Sequence, residues 1–165
     1  MSSNKTGLSF LWLSLIAFIA DLASKYLVVT RFELYESVPV LPLFNLTYVR
    51  NPGAAFSFLA THSGWQQYFF ILLAIAISLM LVYFLYKNDA CQRLQNSAYA
   101  LIIGGALANM ADRAYHGFVV DFLDFYWRDW HYPVFNVADI AICVGAALLA
   151  LDALKNGDKA KSEQA

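Results

Sequence analysis

The stretch Ser97–Gly117, SAYALIIGGALANMADRAYHG, is apolar for its first half and then carries Asn109, Asp112 and Arg113 in its last turns. Whether it crosses a membrane or folds in water decides the architecture of the chain. Composition answers for the membrane: 165 residues, 60% hydrophobic and only 14% charged, with a mean hydropathy of +0.52, are too apolar for a soluble domain of this size. Crossing ~30 Å of hydrocarbon takes roughly 20 helical residues. Four stretches meet that length, at about 8–29, 65–86, 97–115 and 133–154. The expectation is an all-α membrane protein of four transmembrane helices. The first run begins after Lys5, as a secretory signal would, but Asp21 and Lys25 interrupt it and no small-x-small cleavage site follows, so an uncleaved span is expected.

An even number of spans places both termini and the 87–96 connection on one side. That side holds Lys5, Lys87, Arg93, Lys155, Lys159 and Lys161, against Arg31, Arg50 and Arg128 opposite, so the positive-inside rule puts both termini in the cytoplasm. A net charge of −1 with no basic cluster outside the tail argues against nucleic acid as a partner. Cys91 and Cys143 fall at different membrane levels, which disfavours a bridge. No repeat and no linker divides the chain, so 1–165 reads as one integral membrane domain, with a polar tail over 155–165 expected to be disordered.

The outer connections are the richer ones. Residues 37–59, SVPVLPLFNLTYVRNPGAAFSFL, mix β-branched and aromatic residues with prolines and break at Asn51-Pro52-Gly53, which predicts short bent strands, a small β-rich cradle on the outer face. Residues 116–135, HGFVVDFLDFYWRDWHYPVF, are crowded with rings that prefer the headgroup level, which predicts an aromatic loop lying on the bilayer.

Ionisable residues inside the spans fall in one half of the membrane, apart from Asp152 at the far end of the fourth. Asp21 and Lys25 share a helical face in the favourable acid-before-base order. Asn109, Asp112 and Arg113 close the third span, and Asn136 and Asp139 open the fourth, with Asp139 roughly 9 Å in from Pro133 at helical rise. A charge at the bilayer centre costs about 2.5–3.5 kcal/mol on insertion scales and less near the interface, so these groups face one another or a wet cavity. Asp21 with Lys25, and Asp112 with Arg113 or Lys25, read as ion pairs that hold the bundle; Asn109 and Asn136 read equally as interhelical hydrogen-bond partners.

Asp139 is left without a cation, and the nearest suitable partner is another acid. Asp121, in VVDF, is favoured because it lies closest to the end of the third span; Asp124 and Asp129 are alternatives on sequence grounds. Two facing carboxylates cannot both ionise cheaply, so the pair holds one proton and offers a base and an acid together. Such a pair can take a proton from an attacking water while polarising the carbonyl under attack. Metal chemistry lacks support, since His62, His116 and His131 have no ligand spacing, and neither Ser24-Lys25 nor Ser57 sits in a nucleophile turn. Gly104-Gly105 reads as close helix packing.

Three pieces in order, RNPGAAFSF, GGALANMADR and VVDF followed by FNVADIAI, together with the early DLASK, resemble the bacterial lipoprotein signal peptidases (signal peptidase II) over nearly the whole chain. The resemblance implies an aspartic endopeptidase of the inner membrane that removes signal peptides from diacylglyceryl-modified prolipoproteins by cutting on the N-terminal side of the lipidated cysteine. It implies Asp121 and Asp139 as the catalytic pair, and Asn51, Gly53, Asn109, Arg113 and Asn136 as residues lining the substrate pocket. Asp21, Lys25 and Asp112 are implied as polar support for the outer half of the bundle. It also implies membrane lipids beside the substrate, no cofactor or metal, a monomer, and an active site near the periplasmic face. The aromatic segment DFYWRDWHYP has no counterpart motif; its position between the two acids suggests a lid. A proton-coupled transporter with Asp21, Asp112 and Asp139 as a relay, and a non-catalytic membrane chaperone, are the competing classes; the transporter is weakened by the apolar inner half of every span.

Overall fold

The computed structural model describes residues 6–53 and 65–162, with side chains through Asn156. Ala54, Ala55, Ser57 and His62 lie outside the described residues. After a 3-10 turn at Gly7–Phe10, the chain forms helix α1 (Leu11–Arg31), strands β1 (Ser37–Leu41) and β2 (Phe44–Asn51), helices α2 (Trp65–Lys87) and α3 (Arg93–His116), strands β3 (Val119–Trp127) and β4 (Trp130–His131), and helix α4 (Val137–Ser162). The polar residues from Lys155 onward thus continue α4 as far as Ser162.

Three helices, not the four expected, are long and apolar enough to cross a membrane among the described residues: Gly7–Arg31, Trp65–Lys87 and Val137–Asn156. The exception is α3, whose first two turns contain Arg93, Gln95 and Asn96 and whose last turns contain Asn109, Asp112 and Arg113. The physical reason lies in its position. Helix α3 packs against α1, α2 and α4, and Asn96, Asn109 and Asp112 are buried among those neighbours. A helix ringed by others meets polar partners rather than hydrocarbon, so it need not be apolar throughout. Helices α1, α2 and α4 behave in the opposite way and turn large apolar side chains outward, among them Leu15, Ile19, Leu72, Leu79 and Leu154. Such a belt suits lipid rather than water.

Close approach at the centre comes from small residues. A Cβ on Gly104 would meet the Ser14 carbonyl oxygen at 2.6 Å, and one on Gly105 would collide with the Ala138 carbonyl oxygen. The Ser14 hydroxyl donates to the Ala100 carbonyl at 2.6 Å and ties α1 to the backbone of α3. At the far end Gly7 N–H donates to the Asn88 carbonyl at 2.9 Å, and buried Asn96 donates to the Asp89 carbonyl at 2.8 Å, tying the start of α1 to the connection between α2 and α3.

The four strands form one antiparallel sheet in the order β1-β2-β3-β4. Half of it differs from expectation: the aromatic segment is not a loop but strands β3 and β4, turned at Arg128-Asp129 with Arg128 at φ 56°. Pairing with β2 satisfies its backbone, with Asp121 opposite Val49 and Asp124 opposite Asn45. The sheet sits on the end of α1 through Val28, Tyr48, Val120 and Phe122. This seat brings Asp121, between Val120 and Phe122, down onto the ends of α3 and α4.

Replacing Gly105 by alanine is expected to push α3 from α4 and cost about 1–3 kcal/mol of stability. Thermal unfolding in detergent reads this directly; an unchanged midpoint would mean the helices are not in such tight contact.

Candidate active site

Helix α4 starts with a reciprocal cap. Asn136 Oδ1 accepts the Asp139 N–H at 2.9 Å, and Asp139 Oδ2 accepts the Asn136 N–H at 3.2 Å. This is the capping-box arrangement, with asparagine and aspartate in the two capping roles. It is also why a carboxylate stands at the head of an apolar helix: the first N–H groups of a helix need acceptors, and the positive end of the helix dipole favours an anion. The pattern Asn136-x-x-Asp139 ahead of an apolar run was a signal in the sequence for this cap.

The second acid arrives from the sheet. Asp121 Oδ1 accepts from Asn136 Nδ2 at 2.7 Å, and its Oδ2 accepts from Asn51 Nδ2 at 2.9 Å. Asn136, fully buried, therefore stands between the two carboxylates and bonds to both. Asn109 completes the ring, donating from Nδ2 to Asp139 Oδ1 at 2.8 Å and accepting at Oδ1 from Asn136 at 3.1 Å. Both acids line one cavity of about 490 Å³ with Asn51, Asn109 and Arg113, and its wall continues along α4 through Ile140 and Val144. Burial, and next the charge of Asp139, push the Asp121 carboxyl up to about 7, against the hydrogen bonds from Asn51 and Asn136 and the charge of Lys25.

The remaining pocket residues meet at the rim. Arg113 Nη2 donates to the Gly53 carbonyl at 2.9 Å, and Gly53 N–H donates to Asn51 Oδ1 at 3.1 Å. The guanidinium carbon stands 5.0 Å from the Phe70 ring centroid, and Nε has no partner among the described residues. Thus Asn51, Gly53, Asn109, Arg113 and Asn136 all gather around the two acids. Asp21, Lys25 and Asp112 lie beneath them: Lys25 Nζ is 2.6 Å from Asp21 Oδ2 and 3.0 Å from Asp112 Oδ2.

The other acids of the sheet are elsewhere. Asp124, three residues from Asp121, falls on the opposite face of β3. There it accepts from Thr47 Oγ1 at 2.9 Å and Asn45 Nδ2 at 3.3 Å, with His131 Nδ1 at 2.8 Å. Burial works against the charge of Asp124, but the bonds from His131, Thr47 and Asn45 outweigh it and hold the carboxyl below its usual range. Asp129 is exposed at the β3–β4 turn. No cluster of metal-ligating side chains occurs among the described residues.

Known proteins give the same arrangement a family. The model of the family described as signal peptidase (SPase) II matches residues 13–155. The chain is 76% identical over 161 residues to the lipoprotein signal peptidase of Actinobacillus succinogenes, covering 98% of this chain and 99% of the relative. It is 74% identical over 156 residues to that of Pasteurella multocida, covering 94% of each. Among solved structures it resembles a bacterial membrane enzyme determined by the in meso method at 2.3 Å resolution, with a TM-score of 0.83 and 33% identity over 92% of this chain and 90% of that one. Similarity that covers nearly the whole chain leaves one placement: the chain belongs to the signal peptidase II family, multi-pass inner-membrane peptidases that remove signal peptides from prolipoproteins.

Proposed function

We propose that Asp121 and Asp139 are the acid and base with which this peptidase cuts the prolipoprotein chain on the N-terminal side of its lipidated cysteine. The observation that carries this reading is the sharing of Asn136 by two carboxylates in one cavity. Asp139 takes two N–H donors at the start of α4, which fix its carboxylate facing the cavity in the place of a general base. Asp121, raised to about 7, suits the group that keeps the shared proton. In the reaction Asp139 removes a proton from water as its oxygen attacks the scissile carbonyl, and Asp121 donates a hydrogen bond to the carbonyl oxygen that becomes negative. The proton gathered from water then passes to the amine nitrogen as the C–N bond breaks. Asn51, Gly53, Asn109, Arg113 and Asn136 line and brace the pocket around the bond. The apolar wall at Ile140 and Val144 suits a signal peptide or the acyl chains of the diacylglyceryl group entering from the bilayer.

The topology that fits this chemistry has α3 as a fourth crossing, sheltered by the other helices, and both termini in the cytoplasm, on the side of Lys87, Arg93 and the lysines at the end of α4. The site then opens near the periplasmic face, at the depth where a signal-peptide helix ends. One chain supplies every residue of the site, so the working form is a monomer, with membrane lipids as its surroundings.

Asp121→Asn and Asp139→Asn are each expected to abolish release of the signal peptide from a lipidated prolipoprotein in detergent, with thermal unfolding little changed. Near-wild-type cutting by either variant would end the two-acid assignment. Because Asp121 must hold its proton, kcat/KM is expected to fall as pH rises through about 7. A flat rate across that range would mean that this proton is not used. Orientation is read at Cys91, exposed in the α2–α3 connection: in a Cys143→Ala background, an impermeant maleimide applied to spheroplasts should label it only after the membrane is opened. Labelling of intact spheroplasts would reverse the topology.

A further inference from the structure

Lys25 is 3% exposed, and its ammonium sits in the middle of the bundle. An ammonium has three N–H donors and no acceptor. Three oxygens surround it here: Asp21 Oδ2 at 2.6 Å and Asp112 Oδ2 at 3.0 Å as ion pairs, and Asn109 Oδ1, which accepts a hydrogen bond at 2.8 Å. Each partner leads on to one of the two acids. Asp21 Oδ1 accepts the N–H of Ala138 at 2.7 Å, one residue before Asp139. Asp112 Oδ2 accepts the N–H of Val120 at 3.1 Å, one residue before Asp121. Asn109 donates directly to Asp139 at 2.8 Å.

The third link is also a choice of orientation. Since Lys25 can only donate, Asn109 must turn its oxygen toward the ammonium, which leaves its NH₂ for Asp139. The reverse orientation would set an amide oxygen against a carboxylate and an NH₂ against a cation. A buried charge cluster is a poor way to gain stability, because desolvation offsets most of its attraction. Its three-way geometry has a different use: it holds two backbone segments, one on α4 and one on β3, at a fixed separation.

We propose that Lys25 is a positioning residue for peptide hydrolysis, which through Asp21, Asp112 and Asn109 sets the spacing and orientation of Asp121 and Asp139. The inference rests on the two-acid reading above. Its effect is on the chemical step, since Asp21 and Asp112 lie beneath the cavity and Lys25 reaches it only through Asn109. It also acts on the charge balance of Asp121, which is faced by Lys25 from α1, Asp112 and Arg113 from α3 and Asp139 from α4, with neutral Asn51 and Asn136 in contact.

The test compares wild type, Lys25→Met and Lys25→Arg in detergent by thermal unfolding, kcat and KM for a lipidated prolipoprotein, and the pH profile, with Asp121→Asn and Asp139→Asn beside them. Misplacing reacting groups by about 1 Å can cost roughly 100-fold. Lys25→Met is expected to lose about that much in kcat with KM little changed. Its pH profile should move to higher pH, because a cation that favours the carboxylates is gone. Lys25→Arg keeps the charge and so the fold and the profile, but its planar fork does not match three acceptors around one point, and kcat should still fall. A folded Lys25→Met with wild-type kcat and an unmoved profile overturns the proposal. Where Lys25→Met does not fold, Lys25→Arg decides: wild-type kcat there overturns it. Active Asp121→Asn or Asp139→Asn would instead overturn the two-acid reading itself.

Discussion

Hydrocarbon offers no hydrogen-bond partner, so each polar group that this chain carries below its sheet must be satisfied by another part of the same chain. That constraint explains why α3 lies between the other helices, why Gly104 and Gly105 let their backbones come close, and why Lys25 ends against two carboxylates and an amide. It also explains the split between surfaces. Leu15, Leu72 and Leu79 face outward, whereas Asn96, Asn109 and Asp112 face in. Small residues and a few polar links join the helices at the centre of the bundle.

The same constraint makes a reactive site out of structural devices. Asn136 and Asp139 cap the first turn of α4, and Asp21 closes the next N–H at Ala138. Helix starts need acceptors, and acceptors near the end of a helix dipole are well placed to be charged. Asp121 is held by the sheet instead, where burial and a neighbouring carboxylate raise it to about 7. Two identical side chains thus reach the same cavity by different routes, one delivered by a helix end and the other by a strand.

The β-sheet has a matching task. Its strands come from two connections that are far apart in the chain, β1 and β2 from one and β3 and β4 from the other. Alternation along β3 sends Asp121 down to the helices and Asp124 to the opposite face, where Thr47 and Asn45 bind it. A slip by one residue would turn Asp121 away from the helix ends, so the register against β2 is a condition of the site.

Local signals carried much of this into the sequence. Long apolar runs announced α1, α2 and α4, the spacing of Asp21 and Lys25 announced their ion pair, and VVDF with NVAD marked the two acids. The prolines and β-branched residues of 37–51 announced β1 and β2, whereas β3 and β4 hid inside a run of aromatic residues, because rings suit a membrane surface and a strand equally well. The apolar character of α3 was overread, since hydropathy counts residues and takes no account of what surrounds them. What the sequence by itself determined is the long apolar helices, the strands β1 and β2 and the places along them where polar residues fall, which follow from periodicity and run length. Only the tertiary structure decided which acid meets Asp139, which way Asn109 turns and what Lys25 holds, because those depend on the register of β3 and the contact of three helices, and no short stretch of chain encodes a contact between distant ones.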